Sequence, residues 1–154
     1  MNAIARAAAL EDSPESFWER FSQYAQTWPV SPEPLGSPVL EVLTPWGVLY
    51  VFDRSLTPFS GEKALLIIHG QVERWEVASE TPAIEHLGGG RYRVQGRVEA
   101  VLDSRYFLLG LAGAGQEDRL HLVLAGSRLP ELGTPIQAHL ASPLMAFRAE
   151  ASLR

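Results

Sequence analysis

The chain is expected to be mainly β: a small antiparallel barrel or barrel/sandwich with one N-terminal amphipathic helix. Three observations lead to this class. Apolar and polar residues alternate with a period of two through residues 91–98, 106–111, 120–124 and 136–140. Turn-forming residues separate these runs, as between the short strands of a closed or nearly closed barrel. Only the stretch 13–28 shows a helical period.

That helix comes first. Ser13 is a credible N-cap, Pro14 suits the first helical turn, and Glu15 suits the positive end of the dipole. Phe17, Phe21, Tyr24 and Trp28 follow at i, i+4, i+7 and i+11, which places four aromatics on one stripe. Such a stripe is too apolar to stay wet, so it docks on this chain's own sheet, on a partner or on a second copy. Trp28-Pro29 is the expected stop, because a residue before proline avoids the α region. The expected organisation is a helical segment 1–28, a stiff proline-rich connector 29–38 and a β domain 39–154.

Within the β domain, 39–43 and 47–53 flank Thr44-Pro45-Trp46-Gly47, a plausible hairpin turn. Residues 64–68 are continuously apolar, as in a strand covered on both sides. Alternation resumes at 71–77, residues 84–87 form a short strand, and Gly88-Gly89-Gly90 turns into the strand starting at Arg91. There Tyr92, Val94, Gly96, Val98, Ala100 and Leu102 share the inward face. Arg91, Arg93, Gln95, Arg97 and Glu99 share the outward one. By the same parity Leu120, Leu122, Leu124, Ile136, Ala138 and Leu140 point inward. The strand at 106–111 is apolar on both faces, with Phe107 and Leu109 expected outside or under the helix. Gly70-Gln71-Val72-Glu73 is echoed by Gly96-Arg97-Val98-Glu99, a match short enough to arise by chance.

A long first strand with a central glycine, a hairpin, a third strand, the segment 128–133 and a closing strand entered through Leu132-Gly133-Thr134-Pro135 resemble an OB-like small barrel. The resemblance covers about residues 91–148 and rests on pattern alone. Residues 39–90 would then form a second part of the same barrel-like domain. A single larger barrel or sandwich using every strand from Val39 onward fits the same pattern.

Composition bounds the function. With 154 residues, 46% hydrophobic and 20% charged, the chain can bury a good core as one domain or two very small ones. No apolar run approaches membrane-spanning length, and the alanine-rich start lacks the charged and apolar regions of a secretory signal. A cytoplasmic, bacterial-type protein without a membrane partner is expected. Without cysteine there is no disulfide or thiolate chemistry. The net charge of −5 is uneven. Residues 1–90 carry 12 acidic and 5 basic side chains, and 91–154 carry 6 and 8, all eight being Arg.

No constellation supports an enzyme or a cofactor. Gly88-Gly89-Gly90 lacks the Lys and the helix of a phosphate loop, and no Gly-x-Ser-x-Gly elbow occurs. His69, His86, His121 and His139 are not spaced as metal ligands, and Glu11-Asp12 and Glu117-Asp118 read as solvated loops. The best site-like feature is Arg91, Arg93, Arg97, Arg105 and Arg119 with Tyr106 and Phe107. Cations for phosphates and rings for bases are what single-stranded DNA or RNA requires. The competing reading pairs Arg93 and Arg97 with Glu73 or Glu76 across strands. The expected function is a non-catalytic binding or assembly module working by protein–protein interaction or self-association. Single-stranded nucleic-acid binding is the alternative.

Overall fold

The computed structural model describes residues 13–32, 38–55, 59, 61–113 and 119–148. The segment before Ser13, residues 33–37 of the proline-rich stretch and the pair Glu117-Asp118 lie outside the described residues. Helix α1 spans Pro14–Phe21, and the Ser13 side chain accepts the Ser16 N–H at 3.2 Å. A 3₁₀ turn follows at Ser22–Tyr24. Among the described residues ten strands follow: β1 Gln26–Pro32, β2 Val39–Thr44, β3 Gly47–Asp53, β4 Lys63–Val77, β5 Ala83–Gly88, β6 Arg91–Val101, β7 Tyr106–Leu111, β8 Leu120–Ala125, β9 Pro135–Leu140 and β10 Leu144–Arg148.

The strand pairings close two rings. The first barrel runs β1-β2-β3-β10-β4 and closes where Gln26 to Pro29 pair with Leu66 to Lys63. The second runs β6-β7-β8-β4-β9 and closes between β9 and β6. Both have the OB-like strand order. Three strands form an antiparallel meander, the third lies parallel to the fifth, and the fourth pairs antiparallel with the fifth and the first. The parallel pairs are β3 with β10 and β8 with β4.

The two barrels exchange their fifth strands. Strand β4 is 15 residues long. Its first part serves as the fourth strand of the first barrel, and its second part as the fifth strand of the second. Strands β9 and β10 mirror this, β9 as the fourth strand of the second barrel and β10 as the fifth of the first. The mainly β architecture with one N-terminal helix therefore holds. The OB-like order expected for 91–148 needs β4 to be complete. The echoed Gly-x-Val-Glu motifs do not mark the duplication, since Gly70 lies in a fifth strand and Gly96 in a first.

One continuous core fills both interiors, from Trp28, Leu40 and Val51 to Tyr92, Leu109, Leu122 and Ile136. A second cluster lies outside the barrels, where Phe17 and Phe21 of α1 cover Ile67, Tyr106, Leu108, Val123, Ala125 and Phe147. This is why 64–68 reads as continuously apolar: Leu66 and Ile68 face the interior while Ile67 faces the helix.

Three sequence expectations need correction. The helix stops at Phe21, not Trp28, because residues 26–29 are claimed by pairing with β4. The aromatic stripe is thereby split, with Trp28 in the barrel core. Pro29 to Pro32 belong to β1, which pairs with β4 through its first half and β2 through its second. In β6 the inward parity holds through Val98, but a bulge lies between Val98 and Ala100. The extra residue flips the faces, so Ala100 and Leu102 join the helix cluster. In β7 it is Tyr106 and Leu108 that lie beneath the helix, whereas Phe107 and Leu109 face the core.

Candidate functional site

The outward row of β6 is a ladder of matched charges. Arg91 Nη2 lies 2.5 Å from Glu73 Oε1. Arg93 pairs with Glu85 on the neighbouring β5, and Arg97 pairs with Glu80 and donates to the Gly133 carbonyl at 2.7 Å. Between them Gln95 Nε2 donates to Ser79 Oγ at 2.9 Å and to the Thr81 carbonyl at 2.7 Å. Only the Arg93–Glu85 pair joins neighbouring strands; the partner of Arg97 is Glu80, between β4 and β5, and that of Arg91 is Glu73 on β4, so neither Arg93 nor Arg97 meets Glu73 or Glu76.

The remaining members of that constellation are dispersed. Tyr106 and Phe107 are buried, so neither ring is presented to a base. Arg105 lies by a cleft formed with Gln71, Val72, Gly126 and Ser127. Arg119 pairs with Glu99, whose other oxygen is 3.1 Å from His121 Nε2. These groups border a cleft of about 650 Å³ lined by Glu80, Arg97, Glu99, Gly110 and Arg119. A Cβ at Gly110 would fall 1.9 Å from Glu99 Oε2, so a larger residue there would displace the Glu99 side chain from its pairing with Arg119.

The helix aromatics face inward. Phe17 stacks on Phe147 with centroids 4.1 Å apart, and Phe21 lies 4.9 Å from Tyr106. Arg20 sits over both the Phe21 and Tyr106 rings and binds Asp103 at 2.5 Å. Burial raises the Asp103 pKa, but the N–H groups of Arg105 and Tyr106 and the Arg20 guanidinium outweigh it and hold the carboxyl below its usual value. Tyr24 packs at the margin of the same cluster.

The histidines do not converge. His69 is buried, and its Nδ1–H donates to the Val123 carbonyl at 2.8 Å. His86 stacks on Tyr92 at 4.7 Å. His121 and His139 lie on β8 and β9, which flank β4 without pairing with each other. Desolvation, followed by Arg74 and Arg93, lowers the pKa of His139. Among the described residues no group of three or more His, Asp or Glu is placed to hold a metal ion.

One exposed surface has no counterpart in the sequence expectations. On β3, Val48, Tyr50 and Phe52 point away from the core at 37%, 39% and 40% exposure. Across from them on β2 stand Leu43, 45% exposed, Glu41 and Val39. This is the outer face of the second and third strands of the first barrel. The corresponding strands of the second barrel, β7 and β8, share with β4 and β10 an outer face that α1 covers. Sequence reading missed the patch because both faces of 47–53 are apolar, which leaves alternation without contrast.

Comparison with known proteins finds no matching family model, no similar curated protein and no similar solved structure. No described helix is long and apolar enough to cross a membrane.

Proposed function

We propose that this protein is a non-catalytic binding module that captures a protein partner on the outer face of β2 and β3. The observation that carries the reading is the contiguous row Leu43, Val48, Tyr50 and Phe52, four exposed apolar side chains on two paired strands. Aromatic side chains held on rigid strands give contact area at little entropic cost, and they dominate protein interfaces. Among the facing positions of β2 and β3 the one carboxylate is Glu41, opposite Tyr50, which disfavours a polyphosphate ligand.

Single-stranded DNA or RNA is the competing occupant. It needs unengaged cations beside accessible rings, whereas Arg91, Arg93, Arg97 and Arg119 are matched to carboxylates and Tyr106 and Phe107 are buried. The test places a photo-crosslinking phenylalanine analogue at Tyr50 or, as control, at Arg93, in cells that express the full chain. A light-dependent, protease-sensitive adduct from position 50 and none from 93 supports the proposal. A nuclease-sensitive adduct, or no adduct from position 50, overturns it.

A further inference from the structure

Resting on that reading, we infer that the partner segment taken by the β2–β3 face is an amphipathic helix that inserts two apolar side chains one turn apart. Three observations favour a helix over a strand, an extended peptide or a second copy.

The first is backbone saturation. Toward β2, β3 is paired from Gly47 to Phe52, and toward β10 from Val51 to Asp53. The remaining edge beside Val48 and Tyr50 is occupied by the Tyr92 hydroxyl. Strand β2 is paired on its other side with β1 from Leu40 to Val42. No row of free N–H and C=O groups is offered, so a strand cannot be added. An occupant of the face must satisfy its own backbone, as a helix does.

The second is internal precedent. Both barrels have the same strand order, and α1 lays Phe17 and Phe21, four residues apart, on an outer strand face that runs from β7 and β8 of the second barrel across β4 to Phe147 of β10. The β2–β3 face has the matching dimension. Val48 to Phe52 spans about 13 Å along the strand, which is two to three helical turns.

The third is area. Four side chains exposed by about two fifths present on the order of 300 Å² of apolar surface. That is well below the ~800 Å² each partner contributes to a stable dimer, but it suffices for one short helix.

The test is a selection against the full-length chain with two displayed peptide libraries of equal composition. One is constrained to be helical, and the other carries a central proline that forbids a helix. Counter-selection uses the double variant Tyr50→Ser/Phe52→Ser, whose changes are at exposed positions, with circular dichroism confirming its fold. The expected result is enrichment from the helical library alone, with apolar pairs at i and i+4. In anisotropy titrations the selected peptides should bind the wild type at least tenfold tighter than the double variant. Tyr50-dependent binders from the proline library would overturn the helix while leaving protein binding at this face intact. Failure of both libraries to yield Tyr50-dependent binders would overturn both.

Discussion

The Tyr92 hydroxyl accepts the backbone N–H of Tyr50 at 2.9 Å and points at the Val48 carbonyl 3.5 Å away. A side chain from the first strand of one barrel thereby completes the hydrogen bonding of the third strand of the other, beyond the point where β10 begins. Burial, only partly offset by the Tyr50 N–H, raises the phenol pKa. The hydroxyl proton directed at the Val48 carbonyl is therefore retained at pH values where an exposed tyrosine ionises.

Removing that hydroxyl isolates its contribution. Tyr92→Phe keeps the buried ring but leaves the Tyr50 N–H without its acceptor, a loss of about 1–2 kcal/mol. Urea denaturation should show a lower midpoint at unchanged slope. An unchanged midpoint would mean that water replaces the hydroxyl at no cost.

His69 makes stability depend on pH. With Nδ1–H given to Val123, the lone pair of Nε2 is buried without a partner among Phe17, Tyr106 and Phe147. Desolvation lowers its pKa from 6.5 to about 4. A histidine with a depressed folded pKa binds fewer protons folded than unfolded. Its stabilisation is thus complete above pH 6.5 and declines as pH falls toward 4, by roughly 3 kcal/mol in all. Urea midpoints at pH 7.5, 5.5 and 4.5 should fall in that order, and His69→Leu should flatten this part of the profile. A wild-type profile level down to pH 4.5 would contradict the assignment.

Ion pairs in this protein should differ in worth according to their burial. The Arg148–Asp53 pair is 3.0 Å long and nearly buried, joining the parallel strands β10 and β3. Arg148→Ala removes the cation from a buried carboxylate, leaving Asp53 the Ser55 N–H at 3.0 Å, and should cost about 3 kcal/mol. Arg93→Ala removes a partly exposed pair and should cost under about 1 kcal/mol. Parallel thermal melts of the two variants test the ranking.

Backbone contact makes Gly96 intolerant. A Cβ there would lie 2.4 Å from the Gly110 carbonyl oxygen, so β6 and β7 would have to part. Gly96→Ala should destabilise by about 3 kcal/mol or more, with hydrogen exchange rising first along β6 and β7. A native-like melting temperature would show that the strands can separate cheaply.

What the sequence conveyed was whatever local periodicity controls. The inward sets Tyr92–Val94–Val98, Leu120–Leu122–Leu124 and Ile136–Ala138–Leu140 follow from alternation, and Ser13 and Pro14 mark the start of α1. The end of α1 was not legible, because Tyr24 and Trp28 satisfy a helical spacing that pairing with β4 overrides. The bulge after Val98 leaves no local mark, so alternation alone puts Ala100 and Leu102 on the wrong side. The carboxylates that neutralise the β6 arginines come from segments whose proximity depends on topology. The bare β2–β3 face was hidden for the opposite reason, since a run apolar at every position cannot say which side is covered.

The exchange of closing strands ties the fate of each half to the other during synthesis. Four strands of the first barrel are present by residue 69, yet its wall stays open until Leu144 to Arg148 arrive to lie between β3 and β4. A ribosome must therefore deliver the chain through Leu140 before the second barrel can shut and through Arg148 before the first can. The molecule should then melt as one cooperative unit rather than half by half.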